Sequence, residues 1–322
     1  MDAIQWKAAI GGAALAWGCA AMAQPVTSYR GICDASAAVA LDAAHFVVAD
    51  DERNTLMVYR RGEPEPVGRL DLARFLRTGD GQESDIEGAA AIGKRIYWIS
   101  SHGRNSKGRK RDERQRLFAT DIVAGTSPPA LKPVGEPYTR LLKDLFDAPQ
   151  LKKYHLKEAA GLPPEATGGL NIEGLAATPD GALLIGLRNP LSQGRALVVA
   201  IDNPAAAIEG QHARIGAVSE LALDGRGIRS LERTGSGYLV VAGPTGDEGR
   251  FALYRWSGVA GQAPALRPDV DSKTLRPEAL FVLPDSQDVQ LLSDDGGVKT
   301  AGVECKALPV AQRSFRSITV RP

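Results

Sequence analysis

Five segments of this chain repeat one pattern, and that repeat limits the fold more than any other feature of the sequence. They are Asp34-Ala-Ser36-Ala-Ala38, Asp85-Ile-Glu87-Gly-Ala89, Asn171-Ile-Glu173-Gly-Leu175, Gly227-Ile-Arg229-Ser-Leu231 and Arg276-Pro-Glu278-Ala-Leu280. Each opens a short apolar strand, which a tight turn reverses at 42–44, 93–94, 179–181, 235–236 or 284–286, most with Gly, Asp or Pro in hairpin positions. Second strands follow at 45–49, 95–100, 182–187, 238–242 and 289–293, and third strands at 56–59, 117–122, 196–201, 251–256 and 303–307. A weaker fourth strand closes each unit. Between Ser36, Glu87, Glu173, Arg229 and Glu278 the spacings are 51, 86, 56 and 49 residues, near the ~40–50 of a propeller blade except for one interval. That interval holds Leu141, Leu142, Leu145, Phe146 and Leu151 at helical spacing, which predicts a helical insertion over about 138–160; a sixth, degenerate blade is the competing reading.

One meander cannot bury both of its faces, but radial packing of several can, and it leaves only short protected edges. The fold class expected is therefore all-β: a β-propeller of five, alternatively six, four-stranded blades with a short helical insertion. Such a ring must close, and residues 26–32 are placed to pair with the last unit. Cys33 and Cys305 flank the ring, and a disulfide between them would fasten the seam.

A disulfide requires an oxidising compartment, and the N-terminus supplies a route to one. Lys7 precedes the apolar, small-residue run 8–21, and Ala21-Met22-Ala23 offers small residues before a cleavage point. The reading is a signal peptide over 1–23 and a single propeller domain over 24–322, periplasmic or secreted, with Cys19 lost with the leader. The run is too short to span a bilayer, so no membrane anchor is expected. Acids and bases nearly cancel to +1, which disfavours a nucleic-acid partner. A monomer is expected.

In a propeller, the start of strand one and the end of strand two of each blade share one face. The register therefore gathers Asp34, Ser36, Asp85, Glu87, Asn171, Glu173, Arg229, Arg276 and Glu278 with Asp50, Asp51, Glu52, His102, Arg188, Asn189, Asp247, Asp294 and Asp295 around one channel mouth. Oxygen ligands of this kind suit Ca²⁺, for which Asp50, Asp51, Asp85, Asp294 and Asp295 are the candidates. Glu87, Glu173, Glu278 and His102 are the candidate catalytic groups, and Arg188, Asn189, Arg229 and Arg276 the candidate holders of a small anionic ligand. Strand-end carboxylates also satisfy turn backbone or pair with arginines, so the same residues have a purely architectural use. Solvated strand-one starts would let Glu173→Gln alter binding with little loss of stability. The segment 104–116, with seven Lys or Arg, would steer anions if it overhangs that mouth; otherwise it is a solvated loop.

No Gly-x-Ser-x-Gly, His-Glu-x-x-His, Cys-x-x-Cys or Gly-x-x-x-x-Gly-Lys occurs in the chain. The run from Asn171-Ile-Glu-Gly-Leu to Arg188-Asn-Pro190, with Cys33-Asp-Ala-Ser and Val48-Ala-Asp-Asp-Glu52, resembles an uncharacterised exported bacterial family, the domain of unknown function 3616. More distantly, Asn-Ile-Glu-Gly-Leu resembles the esterase-like domain related to phytases. That resemblance implies a propeller and phosphoester or ester hydrolysis, although the calcium cluster of β-propeller phytases is not recognisable. Two functions remain open: a small-anion binder, with Ca²⁺-dependent hydrolysis as one form, and a non-catalytic scaffold for a cell-envelope protein or glycan.

Overall fold

The structure, a computed structural model, describes residues 25–50, 52–246, 248–268 and 275–322. The expected leader and the candidates Asp51 and Asp247 lie outside these residues. Strand β1 (Thr27–Arg30) precedes the first complete meander, β2 (Ala35–Ala40), β3 (His45–Asp50), β4 (Thr55–Arg60) and β5 (Pro66–Asp71). The second is β6 (Ile86–Ile92), β7 (Arg95–Ser100), β8 (Leu117–Val123) and β9 (Ala130–Tyr138), and the third β10 (Asn171–Ala177), β11 (Leu183–Asn189), β12 (Ala196–Ile201) and β13 (Ile215–Leu221). The fourth is β14 (Gly227–Thr234), β15 (Gly237–Gly243), β16 (Ala252–Trp256) and β17 (Ala265–Leu266). The last begins with β18 (Pro277–Val282) and β19 (Val289–Ser293), makes a small hairpin of β20 (Lys299–Thr300) and β21 (Val303–Glu304), and resumes at β22 (Ser314–Val320).

These strands form five four-stranded antiparallel blades, with β2, β6, β10, β14 and β18 innermost and packed in sequence, β18 returning to β2. The sixth-blade alternative is thereby excluded: the long interval is the insertion, helical at Leu141–Asp147, Pro149–Tyr154 and Leu156–Ala159. One expectation is corrected. The third strand of the last blade is β22, not 303–307, whose two strand residues belong to the small hairpin. The fourth strand of that blade is β1, so the N-terminal stretch does close the ring.

The core sits between blades rather than within them. A separate cluster of buried apolar side chains fills each of the five blade interfaces. Trp98 and Phe118 fill one, Leu175 and Leu187 the next, and Val240 and Trp256 a third. Leu280 and Leu291 fill the fourth, and Phe46 and Phe281 the seam. Each large side chain so buried contributes about 1.5–3 kcal/mol. Leu141, Leu145, Leu151 and Leu156 of the insertion extend the second of these clusters. At the seam, Tyr29 of β1 stacks on Phe315 at 5.3 Å and meets Phe46 edge-on at 5.0 Å. The Cys33–Cys305 disulfide is formed across the same junction. That bond fits a periplasmic or extracellular protein, and no helix among the described residues is long and apolar enough to cross a membrane.

One irregularity recurs in every blade. The ladder between the two innermost strands slips between Ala35 and Ala37, Ile86 and Gly88, Ile172 and Gly174, Ile228 and Ser230, and Pro277 and Ala279. The residues left out of register are Ser36, Glu87, Glu173, Arg229 and Glu278. A β-bulge leaves one residue unpaired and re-aims its side chain, so the repeated column of the sequence becomes a ring of five bulge residues. Glycine follows two of them because blades approach closely there: a Cβ on Gly88 would stand 2.9 Å from the Leu175 Cβ, and one on Gly174 2.8 Å from the Ile228 Cγ2.

Candidate functional site

Successive blades are neighbours, so the ring order Ser36, Glu87, Glu173, Arg229, Glu278 decides which charges meet. Arg229 stands between two glutamates. Its Nε lies 2.7 Å from Glu173 Oε2, although the N–H is not aimed along that contact, and its Nη2 contacts Glu278 Oε1. A second register slip, in β11, leaves Arg188 unpaired opposite Glu173. Arg188 Nη1 donates to Glu173 Oε1 at 3.1 Å, and its other nitrogens donate to the carbonyls of Pro244 at 3.2 Å and Gly246 at 2.6 Å. Glu173 Oε1 also accepts from Asn171 Nδ2 at 2.9 Å. All four charged residues are buried, Glu173 to 2% exposure.

Glu87 differs from the rest of the ring. Its ring neighbours are Ser36 and another carboxylate, so no cation adjoins it in the ring. It makes no hydrogen bond or ion pair with any described residue and remains partly accessible. Burial, reinforced by Glu173 and Asp85, pushes its carboxyl well above the ordinary glutamate range, against the pull of Arg229 and Arg188. These surroundings favour the protonated form of Glu87, and the two arginines pair with Glu173 and Glu278.

The other candidates stand around this ring but are individually committed. Asp50 accepts from Arg53 Nε at 2.7 Å, and Asp85 from Arg114 Nη1 at 2.8 Å and from the Ser101 hydroxyl. Asp295 takes both ends of the Arg316 guanidinium at 2.7 and 2.8 Å. Asp294 accepts from the Gly296 backbone at 2.8 Å and lies against Asp34. Among the described residues no three carboxylate, histidine or cysteine side chains are arranged to hold one metal ion. The described part of the set does not fit Ca²⁺, because each of these carboxylates is already engaged by an arginine or a backbone N–H. Asn189 donates to the carbonyls of Pro164 and Ala166, which fixes the loop leading out of the insertion. Arg276 is exposed on the rim, its backbone N–H bonded to the Ser293 hydroxyl.

The repeat register puts Asp34 at the mouth, and its surroundings there are acidic. Burial comes first and the neighbouring Asp294, Glu52 and Asp50 add to it, so that the carboxyl is pushed up to about 9. Cations facing this group are Lys306, 3.8 Å from Glu52; Arg53, paired with Asp50; and Arg313.

His102 lines a different cavity, one whose walls contain none of the ring residues. It is buried, with φ +57°. Its Nδ1 bonds the Ser100 carbonyl at 2.7 Å, and Nε2 has no partner. Burial lowers its pKa to about 4, so the imidazole is neutral at pH 7. Lys143, Lys152 and Lys157 of the insertion share this cavity; sequence reasoning missed them because they lie in the helical interruption, outside the repeat.

The family model described as "Protein of unknown function (DUF3616)" matches residues 135–289, which bears out the resemblance read from the sequence over that segment. No curated protein matches the chain. Among solved structures, a glutaminyl cyclase from Myxococcus xanthus is 13% identical, with a TM-score of 0.46 over 91% of this chain and 94% of that one. A putative oxidoreductase (glucose dehydrogenase) from Thermus thermophilus is also 13% identical, with a TM-score of 0.41 over 92% and 100%. Likenesses this distant carry no inference about function.

Proposed function

We propose that this five-bladed ring, matched over residues 135–289 to a family of unknown function, is a periplasmic or secreted binding protein. It takes a small, neutral, hydroxyl-rich molecule into its channel mouth, with the protonated Glu87 as the anchoring donor. The observation that carries this reading is Glu87 itself, a partly accessible carboxyl with no hydrogen-bond or ion-pair partner among the described residues, whose surroundings favour its protonated form. A neutral carboxylic acid donates one hydrogen bond and accepts another, which matches a hydroxyl group. An anion is less suited to this place, because Arg188 and Arg229 are already balanced by Glu173 and Glu278. If the bound molecule is also turned over, a carboxyl whose pKa is raised by its surroundings is fit to act as general acid, and an esterase and glycosidase screen reads that directly.

The test is a calorimetric or thermal-shift panel of neutral saccharides and polyols against three proteins. Glu87→Gln keeps a neutral donor and an acceptor and should bind within about threefold of wild type, whereas Glu87→Ala should lose roughly tenfold, about 1.4 kcal/mol. Wild-type affinity should decline as pH rises through the raised Glu87 pKa, while Glu87→Gln stays flat. Unchanged binding by Glu87→Ala would sink the proposal.

A further inference from the structure

A cavity of about 530 Å³ opens between the 102–115 segment and the helical insertion. Arg104, Lys110 and Arg111 stand on one wall and Lys143, Lys152 and Lys157 on the other, with Asp147 the single acidic lining residue. Nearby acids answer some of this charge: Lys110 meets Asp112 at 2.6 Å, Arg111 meets Glu113 at 3.4 Å, and Lys143 meets Asp147 at 2.5 Å. Arg104 and Lys152 instead donate to backbone carbonyls, of Ala160 and Gly108 and of Phe146 respectively. Neither these two nor Lys157 forms an ion pair with a carboxylate among the described residues, although Asp147 lies near enough to attract Lys152. Arg104 also ties the two walls together, since its acceptors belong to both segments. The cations are therefore held around a concave space and are not merely scattered over a solvated loop.

The second observation is His102, which lines the same cavity at 2% exposure. A carbonyl can only accept, so the contact of Nδ1 with the Ser100 oxygen puts the ring proton on Nδ1. Nε2 is then a bare acceptor, and it is unpartnered. The wall of a space ringed by cations thus contains a closed-off acceptor, and a ligand that brings both negative charge and an O–H would engage both once the imidazole turns toward it. We propose that this cavity is a binding site for a hydroxyl-bearing organic phosphate such as a sugar phosphate. The lysines and arginines would hold the phosphate, and His102 Nε2, turned into the cavity, would accept from a hydroxyl. The site is separate from the channel mouth, and its anion is held by cations that the ring carboxylates do not reach.

The experiment is titration calorimetry of the full chain with glucose 6-phosphate, glucose and methyl phosphate. Glucose 6-phosphate should bind saturably with one site per chain, roughly tenfold or more tighter than either other probe, and should weaken as salt is raised. Lys152→Glu/Lys157→Glu, which alters side chains on the insertion surface, should weaken glucose 6-phosphate by roughly tenfold or more. Glucose binding that the double charge reversal weakens as much as it weakens glucose 6-phosphate, or no effect of that reversal on glucose 6-phosphate, would overturn the site. His102→Phe should bring glucose 6-phosphate down to the affinity of methyl phosphate; equal affinities of those two probes for the wild type would overturn the role given to His102. Because His102 is buried and that variant could fail to fold, the surface double variant carries the decision on the site by itself.

Discussion

Replacing Glu173 by glutamine tests whether the channel ring is a desolvated ion-pair web. The substitution keeps shape and removes one negative charge from a set in which Arg188 and Arg229 are balanced by Glu173 and Glu278. It leaves Arg229 paired with Glu278 and Arg188 without the carboxylate it bonds, both guanidinium groups being 6% exposed. Breaking a buried pair by removing one partner costs about 3–5 kcal/mol. The lower end applies here, because Arg188 retains the Pro244 and Gly246 carbonyls and Arg229 retains Glu278. With an unfolding entropy of about 2.1 cal/mol/K per residue over roughly 300 residues, 3 kcal/mol corresponds to a fall in Tm of about 5 °C. Scanning calorimetry of the mature protein at pH 7 measures it. A second readout separates charge from packing: Glu173 helps to raise the Glu87 pKa, so its removal should lower that pKa, seen as an earlier pH transition of the Glu87 carboxyl by carbon NMR. A Tm within about 1 °C of wild type, with an unmoved Glu87 transition, would show that water fills the channel and screens these charges. The solvated setting expected from the repeat register would then be restored, and the neutral state assigned to Glu87 would lose its support.

Two further outcomes follow from the seam. The Cys33–Cys305 bond spans 272 residues, and because loop entropy grows only with the logarithm of length, its removal by Cys33→Ser/Cys305→Ser should cost about 5 kcal/mol, or roughly 8 °C in Tm; two titratable thiols in the denatured, unreduced mature protein would refute the bond. Asp34 has a folded-state pKa above its unfolded value, so its contribution is fully present below about pH 4 and is lost as pH rises towards about 9. Asp34→Asn should remove that part of the decline and gain more than about 1.4 kcal/mol on wild type between pH 5 and pH 9 in urea titrations; parallel pH profiles for the two proteins would show that Asp34 titrates normally.

The five-bladed ring was legible in the sequence because each blade is a local object: strand, turn and strand lie within a few residues, and their apolar alternation repeats. The helical insertion was legible for the same reason, through the 3.6-residue spacing of Leu141, Leu142, Leu145 and Phe146. Local pattern failed where a strand is separated from its blade. Val303-Glu-Cys-Lys-Ala307 alternates apolar and charged residues as a strand does, yet the strand that pairs with β19 is Ser314–Val320, beyond a hairpin and two short helical turns, and only pairing can distinguish them.

The column holding Ser36, Glu87, Glu173, Arg229 and Glu278 was also visible in one dimension, and with it the chemistry of the candidate site. What the column does in space needed the tertiary structure, since a bulge is a property of two strands and an ion pair of two blades. Once the ring order is known, Arg229 between two glutamates and Glu87 beside a serine explain why the first is spent and the second is left over. The basic cavity was the least legible element. Its two walls come from a loop of the second blade and from the insertion after it, and only the packing of the insertion on the blades brings their charges to face one space.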